Sequence, residues 1–129
     1  ILMPKFGKRS KGRMKGVDAK LQNIFNEVVK EFDCTVIEGM RSQERQNKLV
    51  EQGKSKTKFG KHVQGKAMDV APYPIDWADR DRFHYFGGYV KGIANRLHTP
   101  IRWGGDWDGD FETKDNKFDD LVHFELLEK

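Results

Sequence analysis

The sequence predicts an α+β fold: a small, mainly antiparallel sheet covered by helices. Three observations lead there. Apolar residues recur at three- and four-residue steps in two long stretches, as amphipathic helices require. Short apolar runs of strand length lie between and after those stretches. The last two runs are joined by a polar loop, a connection that suits an antiparallel pair. At 129 residues the chain is expected to form a single domain over 1–129, with residues 1–16 as a basic N-terminal arm.

The first clear element runs from Asp18 to Phe32. Asp18 suits an N-cap, and Leu21, Ile24, Phe25, Val28, Val29 and Phe32 form one apolar stripe. Cys34–Ile37 reads as a strand ended by Gly39. A second helix is expected from Ser42 to Gln52, with Ser42 as cap and Gly53 as stop. Its few apolar residues, Leu49 and Val50, place it at the surface. Ser55–Lys61 is a polar loop. Ala67–Ala71 reads as a buried strand closed by Pro72 and Pro74. A third helix is expected from Asp79 to Leu97, with Phe83, Phe86, Val90, Ile93, Ala94 and Leu97 inward and Gly87 and Gly88 as interruptions. Ile101–Trp103 and Val122–Leu127 are the last strands, on either side of an acidic loop.

Composition narrows the function classes. Net charge is +4, and Lys5, Lys8, Arg9, Lys11, Arg13 and Lys15 crowd the first segment. Two readings of that arm stand: a solvated, flexible tail, or an electrostatic contact to an anionic polymer. It lacks the interleaved aromatics of a nucleic-acid binder, so no nucleic-acid partner is expected. Cys34 is the only cysteine, which excludes an internal disulfide and reads as a buried core thiol. No apolar run reaches the ~20 residues of a membrane span, and no apolar stretch follows the N-terminal charges as in a secretory signal. Synthesis in the cytoplasm, without membrane insertion, is the expectation.

Four histidines are present. His84 and His98 sit in helical context, where structural or solvated roles suffice, and a cation at position 98 suits the helix dipole. His62 and His123 have different company: His62-Val63-Gln64-Gly65-Lys66-Ala67-Met68-Asp69, and Asp119-Asp120-Leu121-Val122-His123-Phe124-Glu125. Two imidazoles and one carboxylate are a usual protein set for catalytic zinc, which keeps a further position open. Spacing alone does not select that reading, since His62 to Asp69 is neither a helical nor a zinc-finger interval.

A series of strings does. Gly39-x-Arg41-Ser42-x-x-x-Gln46, Ser55-Lys56-Thr57, His62-x-x-Gly65-x-Ala67-x-Asp69, Trp103-Gly104-Gly105-Asp106-Trp107 and Asp120-x-x-His123-Phe124-Glu125 follow in this order. In register over most of the chain, they resemble the D-Ala-D-Ala carboxypeptidase/L-alanyl-D-glutamate peptidase family of zinc peptidases. The resemblance is greatest to phage endolysins of the L-alanyl-D-glutamate endopeptidase type. It implies a zinc peptidase fold, Zn2+ on His62, Asp69 and His123, and Asp120 as general base, with neighbouring Asp119 a weaker competitor. It implies further that Arg41 polarises the scissile carbonyl and that Gln46 and Trp107 line the substrate cleft, while Trp103 is expected in the core. One departure is Gly60, where relatives carry a substrate-contacting Ser; Ser55 or Thr57 could supply the hydroxyl.

The resemblance also implies bacterial peptidoglycan as partner, hydrolysis of the L-alanyl-D-glutamate bond, action at the cell wall after release from the host cytoplasm, and a monomer. A D-Ala-D-Ala carboxypeptidase or dipeptidase, or a non-catalytic zinc-containing binding domain of the same fold, are the alternatives. Asp106, Asp108, Asp110, Glu112 and Asp115 space oxygen ligands in a way that suits Ca2+, a second cofactor expectation. The loop is not an EF-hand, since Phe111 stands where the loop glycine belongs and Lys117 where the bidentate Glu belongs.

Overall fold

The apolar stripe after Asp18 folds as helix α2 (Ala19–Glu31), and the Asp18 carboxylate accepts from the Lys20 N–H as its cap. In the computed structural model, which describes residues 4–55 and 60–127, the other elements follow the same local logic. They are α1 (Lys8–Arg13), β1 (Cys34–Glu38), α3 (Gln43–Glu51), β2 (Ala67–Pro72), α4 (Arg80–Arg96), β3 (Ile101–Gly104) and β4 (Asp120–Leu126). Ser42 and Asp79 cap α3 and α4 by accepting from the N–H groups of Arg45 and Arg82, which satisfies donors that a helix start leaves free.

The strands form one antiparallel sheet in the order β1-β2-β4-β3. Side chains alternate across it. Met68, Val70, Trp103, Phe124 and Leu126 join Leu21, Ile24 and Phe25 of α2 and Phe86 and Val90 of α4 in one core. Phe124 sits at its centre, with the rings of Phe25, Phe86 and Trp103 at 5.3, 6.0 and 6.4 Å. Each such buried side chain contributes roughly 1.5–3 kcal/mol through loss of apolar surface to water. Cys34 is buried, and burial pushes its thiol far above its ordinary value, so it is inert core.

Besides Leu97, which is exposed at the C-terminal cap of α4 rather than inward, two expectations change. Gly87 and Gly88 do not interrupt α4, which continues through both. Gly87 lies against the Trp103 indole, where an added Cβ would come within 2.2 Å of ring atoms. The glycine lets the helix approach the sheet. The second change concerns the basic arm, part of which is ordered against the sheet. Phe6, Ser10 and Met14 are buried. Ser10 Oγ accepts from the Val36 N–H at 3.0 Å, and Arg13 Nη1 donates to the Val36 carbonyl at 2.9 Å. Both contacts occupy backbone groups of the edge strand β1, a common protection of an exposed sheet edge. The periodic apolar signal in six helical residues was too short to read from sequence.

Candidate metal centre and cleft

The face of the sheet opposite the apolar core is polar along one row. Asp69 of β2 lies directly opposite His123 of β4, and a bulge between Val36 and Glu38 brings Glu38 of β1 opposite Asp69. In the next row, Arg102 of β3 lies opposite Glu125 of β4. His62 reaches the row from the loop before β2, held there by the Arg41 N–H donating to the His62 carbonyl at 2.9 Å.

His62 Nε2 lies 3.2 Å from Asp69 Oδ1, and His123 Nδ1 lies 3.3 Å from the same oxygen. One ligand atom from each of the three residues lies within 4.8 Å of the others. The outer hydrogen bonds fix the tautomers. His62 Nδ1 donates to the Gly39 carbonyl at 2.8 Å, and His123 Nε2 donates to Glu125 Oε1 at 2.9 Å, because both partners only accept. The inward nitrogens of the neutral rings therefore present lone pairs to an anionic oxygen. That arrangement repels itself unless a cation stands between the atoms, so the donor set fits a metal ion. Without one, a proton substitutes. Burial disfavours imidazolium at His123, yet Asp69 and Glu125 carry its pKa up to about 9. Burial likewise opposes ionised Asp69, but the His123 and His62 hydrogen bonds hold its carboxyl far below the usual range.

The cleft around this centre holds Arg41, Gln46, Trp107 and Asp120 as well. Asp120 is exposed at its mouth; the cleft walls and the nearby Asp69 charge push its carboxyl above the ordinary value. Asp119 turns elsewhere and accepts from Arg80, which separates the two candidate bases. Arg41 donates from Nε and Nη2 to the two oxygens of Glu38, at 2.9 and 2.8 Å, and from Nη1 to Gln46 Oε1 at 2.7 Å. Burial would raise the Glu38 carboxyl, but the Arg41 hydrogen bond and charge, then Arg45 and His62, lower it overall.

Gln46 is only 1% exposed and donates to Ser55 Oγ at 2.9 Å. It lines the cleft, as the sequence reading has it, and braces Arg41 there from a buried position. The Ser55 hydroxyl is engaged with Gln46, and Thr57 lies outside the described residues. Trp107 lies over the His123 ring at 5.6 Å, where the sequence reading puts a groove wall, and Trp103 is core. Glu38 and Arg102 were not singled out from sequence, and Glu125 was quoted in the last motif string without a role. Arg102 Nη2 donates to Glu125 Oε2 at 3.1 Å while its guanidinium carbon lies 5.7 Å over the Trp107 ring. The available signal was the period of two that puts Glu125 on the His123 face.

In the acidic loop, Asp106, Asp108 and Asp110 converge within the same 4.8 Å limit. Asp106 is buried, pairs with Lys91 at 3.1 Å and accepts from the Asp110 and Phe111 N–H groups. Its oxygens thus have protein partners, and nothing further in the loop points to Ca2+.

Comparison with known proteins gives the family and the fold. The family model described as phage L-alanyl-D-glutamate peptidase matches residues 2–127. The L-alanyl-D-glutamate peptidase of Escherichia phage T5 is 30% identical over 135 residues, covering 95% of this chain and 98% of that protein. Among solved structures, the L-Ala D-Glu endopeptidase ChiX of Serratia marcescens matches with a TM-score of 0.79 at 27% identity, over 95% of this chain and 90% of that one. The LdcB LD-carboxypeptidase matches with a TM-score of 0.57 at 20% identity, over 97% of this chain and 66% of that one, a likeness of fold alone.

Proposed function

We propose a hydrolytic cycle from one premise: the chain belongs to the phage L-alanyl-D-glutamate peptidase family. It is a peptidoglycan endopeptidase that acts on the L-alanyl-D-glutamate bond of the bacterial cell wall. The observation that carries the mechanism is the convergence of His62 Nε2, Asp69 Oδ1 and His123 Nδ1.

These three residues would hold Zn2+. Asp69 Oδ1 lies 3.2 and 3.3 Å from the two inward imidazole nitrogens, close enough for one ion to be shared among them. When bound, the ion would supply Lewis-acid polarisation and make water acidic enough to attack at neutral pH. Asp120 takes the proton of the attacking water and returns it to the departing amine. Its raised pKa suits the return of the proton, since burial and the Asp69 charge make it hold a proton better than an ordinary Asp. Arg41 offers a fixed cation to the oxyanion that develops on the carbonyl, and Glu38 and Gln46 keep it from rotating away. Trp107 forms a wall of the substrate groove above His123. One copy of the chain carries every group in this cycle, in keeping with a monomer.

The test is mass spectrometry of digested peptidoglycan. New L-Ala carboxyl termini are expected, lost on zinc chelation and restored by Zn2+. Release of free D-Ala in their place would reassign the enzyme as a carboxypeptidase, and activity indifferent to chelation would remove the metal from the cycle.

A further inference from the structure

Asp120 also lines a second cavity, of about 160 Å³, whose walls do not include His62 or Arg41. Asp120 is the residue that lines both spaces. Trp77, Arg80, Phe83 and Asp119 contribute walls of the second one. Trp77 stacks on Phe83 with ring centres 5.4 Å apart and an angle of 18°, yet stays 62% exposed. Arg80 donates through Nη2 to Asp119, and its side chain is 57% exposed. The guanidinium is therefore anchored at one corner and open to solvent elsewhere.

The proposed cycle, on which this inference rests, decides what enters. Asp120 hands its proton to the departing amine, so the leaving half of the substrate lies against Asp120 and continues past it. That half begins with D-glutamate, whose α-carboxyl sits on the carbon bearing the scissile nitrogen. A substrate carboxylate there meets the carboxylates of Asp119 and Asp120, which line the same cavity. Like charges brought together there repel unless a cation is placed among them. Arg80 is positioned as that cation, and its planar fork matches a carboxylate. We propose that Arg80 reads the free α-carboxylate of the D-glutamate residue, with Trp77 as an apolar wall against the glutamate methylenes. Arg80 is then a specificity-determining residue that separates glutamate from its α-amide, isoglutamine.

The experiment compares two matched stem peptides, one with D-glutamate and one with D-isoglutamine after L-Ala, using the zinc-loaded full chain. The quantity read is the ratio of their kcat/KM values. Wild type should favour the carboxylate by about tenfold or more. Arg80→Gln should bring the ratio close to one. A wild type without preference, or an unchanged ratio in Arg80→Gln, overturns the assignment. Should Arg80→Gln fail to fold, Arg80→Lys is read the same way: a point charge cannot reproduce the fork, so the ratio must fall, and an unchanged ratio again overturns it. Asp120→Asn separates the premise from the inference. If it retains turnover, the leaving side is misplaced and the assignment falls with it. If it is inactive while Arg80→Gln keeps the ratio, the base stands and Arg80 alone is wrong.

Discussion

The two faces of the sheet are made from alternate residues of the same strands and do opposite work. On β2, Met68 and Val70 are fully buried in the core, while Asp69 between them faces the cleft. On β4, Phe124 is fully buried, while His123 and Glu125 on either side of it line the cleft. The apolar face holds the fold together without directional bonds. The polar face concentrates Glu38, Asp69, His123 and Glu125, three carboxylates and an imidazole that would be costly so close together without the partners Arg41 and Arg102. Stability is therefore expected from one side of the pleat and turnover from the other, although the residues are sequence neighbours.

The largest effect should come from the mouth of the polar face. Asp120→Asn is expected to lower kcat by about 10²–10⁴-fold while leaving bound zinc unchanged. Its stability should move the other way. The folded pKa of Asp120 is raised, so its stabilising contribution belongs to the protonated form and is lost as pH rises through that value. The neutral amide avoids this loss, and Tm at pH 7 should stay equal or rise. In wild type the acid limb of kcat/KM should lie above the ordinary Asp value of about 3.9, because only ionised Asp120 accepts the proton. A variant that lost stability and turnover together would break the division between the faces.

Phe124→Ala tests the apolar side. It should cost about 3–5 kcal/mol in denaturant unfolding, since it empties the space between Phe25, Phe86 and Trp103. Where the variant remains folded, zinc affinity should change little. A large loss of metal binding in folded Phe124→Ala would mean that the faces are coupled through β4.

Glu125 is the sharpest test because it belongs to both descriptions, only 4% exposed yet bonded to a metal-centre histidine. Glu125→Ala should weaken zinc binding by about 10–100-fold in competition with a chelator, since His123 loses the partner that fixes its tautomer. Glu125→Gln keeps an acceptor for the Nε2–H and should recover most of that affinity. Equal affinity in Glu125→Ala would reduce Glu125 to a filler of the sheet.

The helices were legible because their information is local. Asp18, Ser42 and Asp79 announce the three longer helices, and the structure uses all three as caps. Helix α1 was missed because its anchoring is remote: Ser10 and Arg13 bond to Val36, far along the chain. The three residues of the candidate metal centre were readable as members of a spaced motif, and the cleft brings them together. The partners of these residues were not. Glu38 and Arg102 have no local signature, since each acquires its role from a strand that arrives later.

By itself the sequence determined where the three longer helices lie, which runs enter the sheet, and which side chains could bind a cation. Those properties follow from periodicity, capping and side-chain chemistry, and each is contained within a few residues. The tertiary structure alone decided that a bulge in β1 and the order β1-β2-β4-β3 align Glu38, Asp69 and His123 in one row. It alone turned Asp119 toward Arg80 and left Asp120 facing the cleft. Neighbouring aspartates look alike in a sequence; strand register and a remote arginine give them different surroundings, and surroundings set both direction and proton affinity.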